Sequence, residues 1–124
     1  MIDEDNLAIV IGDASGKGVP AALLAMTTQV MIKQILKHNK NPSEVLYSLN
    51  NQLSENNSES MFLTLWLGIY NRTTEKLTFS NAGHDIPLIK ENNKYILDIK
   101  KGDKVSGHCP SVDYLFESIS THAK

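Results

Sequence analysis

The chain has 124 residues, 41% of them hydrophobic and 21% charged, with a formal net charge of -2. That size suits one domain, and no stretch approaches the roughly 20 consecutive apolar residues of a membrane-spanning helix. The acidic start MIDEDNLAIV lacks the basic region of an export signal, and the single cysteine, Cys109, has no internal disulfide partner, so a reducing cytoplasm is the expected setting. The 12 Lys and Arg are spread along the chain and balanced by 14 Asp and Glu, so no nucleic-acid partner is expected.

Residues 7–11 (LAIVI) form a short apolar run rich in β-branched side chains and read as a buried strand. Residues 12–20 (GDASGKGVP) follow as a loop with several demanding backbone positions. A helix is predicted from Pro20 to about His38, since proline at the first turn sacrifices no hydrogen bond. Ala22, Leu23, Met26, Val30, Met31, Ile35 and Leu36 give it one broad buried face, and Lys37 and His38 suit its negative pole.

A second helix starts at Asn41-Pro42-Ser43-Glu44, with Asn41 as cap, and runs to about Ser54 on a stripe of Val45, Leu46, Leu49 and Leu53. Residues 61–70 (MFLTLWLGIY) are the most apolar segment and read as a central strand covered on both faces. Residues 71–76 turn the chain back into a strand at 77–80, which Asn81-Ala82-Gly83-His84 interrupts. Short strands are expected at 87–90 and 95–99 around the Asn92-Asn93 turn, then a loop over 100–111 and a last strand at 114–119. The order is α+β: two helices packed on a mainly antiparallel sheet, in one domain spanning residues 1–124.

The chemistry gathers in two loops. Counting back from Gly16-Lys17 puts Ile11 where a Walker loop needs glycine, and Gly18 where it needs Ser or Thr; Gly12, Gly16 and Gly18 do not fit G-x-G-x-x-G either. Asp13 follows directly on an apolar strand, where its carboxylate would suit a hard divalent ion or, alternatively, accept hydrogen bonds from the glycine loop. His84 is open to three readings: base, ligand or hydrogen-bonded turn residue. Ser15 lacks the G-x-S-x-G setting of a nucleophile, the adjacent His108 and Cys109 lack a metal-ligand spacing, and His122, Asp85 and Asp103 have no clear partner.

Residues 7–24 (LAIVIGDASGKGVPAALL), then Met61-Phe62 with Thr64, then Asn81-Ala82-Gly83-His84 with Pro87, resemble in order and spacing the bacterial Ser/Thr phosphatases of the stage II sporulation protein E type. These belong to the metal-dependent protein phosphatases. The resemblance covers essentially the whole chain. It implies part of an α-β-β-α sandwich, and hydrolysis of phosphoserine or phosphothreonine in a phosphorylated regulatory protein, often one controlling a sigma factor. Two Mn2+ or Mg2+ ions would activate the attacking water. By resemblance, Asp13 is a metal ligand and catalytic residue, and the Ala14 carbonyl helps hold one ion. Gly12, Gly16 and Gly18 shape the loop, Lys17 is structural or faces solvent, and Asn81, Gly83 and His84 line the site, His84 as a catalytic candidate.

Ala14 stands in place of the usual valine, and Asp85 in place of a common proline. The family's upstream acid-bearing strand and its later Pro-Gly-Asp and Thr-Asp-Gly motifs have no counterpart in these residues. The expectation is therefore a partial phosphatase domain, with little or no activity alone and with open sheet edges that favour a homodimer. The competing expectations are a non-catalytic module that binds a regulatory protein, and an assembly role through those edges.

Overall fold

Two helices lie on one face of a sheet whose middle strand is the most apolar segment of the chain. The computed structural model describes residues 1–55, 61–85, 89–91, 94–96 and 106–107. In chain order these form β1 (Asn6–Ala14), α1 (Gly18–Leu36), α2 (Pro42–Glu55), β2 (Leu63–Asn71), β3 (Lys76–Ala82), β4 (Ile89–Glu91), β5 (Lys94–Ile96) and β6 (Ser106–Gly107). The main sheet runs β1-β2-β3-β6, antiparallel except for β3 with β6, and β4 and β5 pair antiparallel as a separate ribbon. This is the α+β arrangement expected from the sequence, and it is consistent with a phosphatase-type sandwich. The strand expected at 114–119 lies outside the described residues.

β2 is buried on both faces because both parities of its alternation are apolar. Leu63, Leu65, Leu67 and Ile69 face the helices and join Ile32, Leu36, Val45, Leu46, Leu49, Leu53 and Ala82 in the core. Val45, Leu46 and Leu49 of α2 are fully buried, and each contributes about 1.5–3 kcal/mol from apolar surface removed from water. On the opposite face Trp66 stacks on Phe79, with ring centroids 5.6 Å apart.

α2 begins where expected. The Asn41 side-chain carbonyl accepts the Ser43 N–H at 3.1 Å and the Glu44 N–H at 3.4 Å. Glu44 does not reach back to Asn41, as a capping box would require. It accepts a bond from Asn39 Nδ2 at 2.6 Å, and the Asn41 N–H donates to Asn39 Oδ1.

Three expectations need correction. The apolar run of β1 is not buried: Ile9, Val10 and Ile11 are 39%, 40% and 50% exposed, because among the described residues only β2 pairs with this strand. α1 buries Thr28, Ile32 and Leu36, while Leu23, Met26 and Val30 of the expected buried face point to solvent. Apolar side chains run all round this helix, so composition alone does not choose the face. The same property makes α1, by length and composition, apolar enough to cross a membrane, contrary to the initial count; here it packs on β1 and α2.

The β1–β2 register is tied at its far end by a polar knot. Asp3 Oδ1 accepts the Asp5 and Asn6 backbone N–H groups at 2.9 and 2.7 Å. Asn71 Nδ2 donates to Asn6 Oδ1, Thr73 Oγ1 to Asp5 Oδ1, and the Arg72 N–H to the Asp5 carbonyl. Lys40 pairs with the Asp3 carboxylate from the connection between α1 and α2.

Candidate active site

The strand-to-helix segment carries the first part of the site. β1 continues through Gly12, Asp13 and Ala14, so the loop is shorter than expected and Gly12 belongs to a strand. Gly12 is glycine for want of room: a Cβ there would lie 2.5 Å from Leu65 Cδ2 and 2.7 Å from the Thr64 carbonyl oxygen. Gly16 and Gly18 do shape the turn, with φ of 81° and 75°, a conformation that costs other residues about 1 kcal/mol or more. Between them Lys17 is extended and exposed, at the N-cap position of α1 without a side-chain capping bond.

Ser15 anchors this turn to β2. Its N–H donates to the Phe62 carbonyl at 2.7 Å, and its Oγ accepts the Phe62 N–H at 2.9 Å. That accounts for the serine without nucleophilic chemistry. Beside the turn, a cleft of about 350 Å³ opens between β1 and α1, with Ala14, Thr28 and Gln29 among its walls.

Asp13 stands directly opposite Thr64 in the β1–β2 register. Alternation places the pair on the face away from the helices, the face that also carries Trp66. Asp13 is exposed. From the other side, β3 runs through Asn81 and Ala82, further than the sequence suggested, and Gly83 then forms a parallel bridge to Leu65 with φ of 69°. Asn81 closes a turn around His84: its Oδ1 accepts the His84 N–H at 2.9 Å, and its Nδ2 donates to the His84 carbonyl at 2.8 Å. The half-buried imidazole meets Thr64, with Nδ1 and Oγ1 2.8 Å apart.

The structure thus brings Asp13 and His84 to one place through Thr64. Asn81 and Gly83 hold His84, and Gly12, Gly16 and Gly18 hold the Asp13 segment. Thr64 carries no catalytic expectation in the sequence. It belongs to the Met61-Phe62 match, and register adds that it lies opposite Asp13 and two residues beyond Phe62, the anchor of Ser15. His108, Cys109, Asp103 and His122 lie outside the described residues.

Among the described residues no three His, Cys, Asp or Glu side chains gather as a metal-binding group. A pair of divalent ions needs several carboxylates to balance its charge. Asp13 with the Ala14 carbonyl does not meet that need, so the described residues do not fit a two-ion centre by themselves.

Residues 3–119 match the family model described as Stage II sporulation protein E (SpoIIE). The chain is also 33% identical, over 101 residues and 79% of its length, to the phosphoserine phosphatase RsbU of Bacillus subtilis (strain 168). It spans about 30% of the length of that relative. A match of this extent over an ordered Asp13–Thr64–His84 arrangement places the chain in the SpoIIE family of PPM-type phosphatases.

Proposed function

We propose that this chain is part of a metal-dependent phosphatase domain that removes phosphate from serine or threonine in a regulatory protein partner. The observation that carries this reading is Asp13 at the end of β1, followed by the Gly16–Gly18 turn into α1, within a match to the family over residues 3–119. Asp13 contributes one carboxylate and Ala14 one carbonyl to the Mn2+ or Mg2+ binding that the family relationship implies, with further ligands required from elsewhere. His84, bonded to the Thr64 that stands opposite Asp13, is the residue available to contact a phosphoryl oxygen. The setting that suits this work is the cytoplasm.

The test is Mn-dependent phosphate release from a phosphoserine peptide and from p-nitrophenyl phosphate. Turnover by the 124-residue chain alone is expected to be weak. Whatever turnover it has should vanish in Asp13→Ala. Robust hydrolysis that survives Asp13→Ala would overturn the assignment.

One observation favours a second reading, a non-catalytic module that binds the same kind of partner: among the described residues no three metal-ligating side chains gather at the site. Binding of the phosphoprotein that is unchanged by Asp13→Ala, with no phosphate released at any Mn2+ concentration, would select it. In either reading a homodimer would form along the outer edge of β1, unpaired among the described residues. Sedimentation measurements on the chain and on a Val10→Lys variant test that contact.

A further inference from the structure

Thr64 and His84 share one hydrogen bond, and its direction decides which nitrogen of the ring carries the proton. Oγ1 and Nδ1 are 2.8 Å apart in a half-buried setting. A threonine hydroxyl can donate or accept, and a neutral imidazole has one nitrogen of each kind. Among the described residues the Thr64 hydroxyl has no other side-chain or backbone acceptor. If Nδ1 donated, the hydroxyl proton would have no protein acceptor among the described residues. If the hydroxyl donates, both groups are satisfied.

The backbone that carries the ring is held in place. Asn81 grips the His84 backbone through both its N–H and its carbonyl, and Gly83 is bridged to Leu65, the residue after Thr64. We propose that Thr64 is a positioning residue: its hydroxyl donates to Nδ1 and holds His84 as the neutral imidazole protonated on Nε2, so that Nε2–H is a fixed donor for an anionic oxygen. Asp13 stands across the strand pair from Thr64, so this donor belongs to the same end of the sheet as the proposed metal ligand. A phosphoryl oxygen as the anion rests on the phosphatase reading, whereas the tautomer does not.

The experiment is two-bond 1H–15N correlation spectroscopy on the full chain, labelled in histidine, at a pH above the imidazole titration. Disappearance of one signal set in His84→Gln assigns the ring among the four histidines. The expected pattern is an unprotonated Nδ1 and a protonated Nε2. Thr64→Ser should keep that pattern. Thr64→Val should move both resonances toward the averaged positions of a free ring, with the circular dichroism spectrum unchanged. Adding inorganic phosphate should shift the Nε2 signal in the parent chain and shift it less in Thr64→Val. A proton on Nδ1, an identical pattern in Thr64→Val, or no response to phosphate overturns the proposal. Absence of phosphatase turnover in the same samples counts against the proposed function alone, because the tautomer and the phosphate response are read without it.

Discussion

Trp66 lies over Gly68: the indole of one occupies the space that a side chain on the other would need, two residues along the same face of β2. The ring is 5% exposed and stacks on Phe79, which stands opposite Gly68 in the β2–β3 register. Gly68 is therefore the floor on which an aromatic pair rests. Gly68→Ala should force the indole off its position and destabilise the fold by about 1–3 kcal/mol, the usual cost of overpacking. Urea unfolding followed by Trp66 fluorescence measures the loss, and an unchanged midpoint would refute the account.

The contact of α2 with the sheet makes the strongest stability prediction. Leu49 is fully buried among core residues of both helices and β2. Leu49→Ala should cost about 2–5 kcal/mol, depending on how far the cavity collapses. Leu23→Ala, at 58% exposure on the outer side of α1, should cost less than about 0.5 kcal/mol, as ordinary surface changes do. Comparing the two variants by denaturant unfolding separates the buried face from the exposed one. Equal losses would mean that α1 is covered in solution.

Asn41 should behave as a true cap. Its Oδ1 receives two backbone N–H groups and the Ser43 hydroxyl. Asn41→Ala should lower stability by about 1 kcal/mol and Asn41→Asp by much less, since aspartate caps as well. Thermal unfolding of the three proteins decides it.

The polar knot at the start of β1 sets a pH dependence. The Lys40 ammonium, and after it the Asn6 side chain, hold the Asp3 carboxyl well below the usual carboxylate range. A group whose pKa is lowered on folding supports the fold above its unfolded pKa of roughly 3.9. That support is lost as the pH falls through the lower folded value. Carboxyl NMR titration should therefore find Asp3 still ionised where ordinary carboxylates have taken up a proton, and Lys40→Met should raise its midpoint toward them. An unmoved midpoint in Lys40→Met would show that the ion pair does not form in solution.

How much of this was legible beforehand depended on whether the signal was local. α2 was readable because Asn41, Pro42 and the spacing of Val45, Leu46, Leu49 and Leu53 lie within one short stretch. β2 was readable because its run is long and predominantly apolar. The exposure of β1 and the facing of α1 were not readable, since a run such as LAIVI is apolar whatever lies beside it. Gly12 looked like a loop residue until Leu65, fifty-odd positions away, proved to occupy the space above it. Asp13 and His84 stood out as residue types, and Thr64 as part of the Met61-Phe62 match, but that the threonine joins them emerges only from strand register.

The order of these segments along the chain has a kinetic consequence. Asn6 meets Asn71 across 65 positions of sequence, and Phe62 meets Ser15 across 47. Both helices lie inside that closed loop. Closing so long a loop is paid in chain entropy before any cross-strand contact is gained, and non-local pairings of this kind slow folding. The helical hairpin can form early from local signals, but Asp13, Thr64 and His84 come together only when β1 has found β2. Any species arrested before that step would keep much of its helical signal while lacking the whole arrangement at which phosphate chemistry could occur.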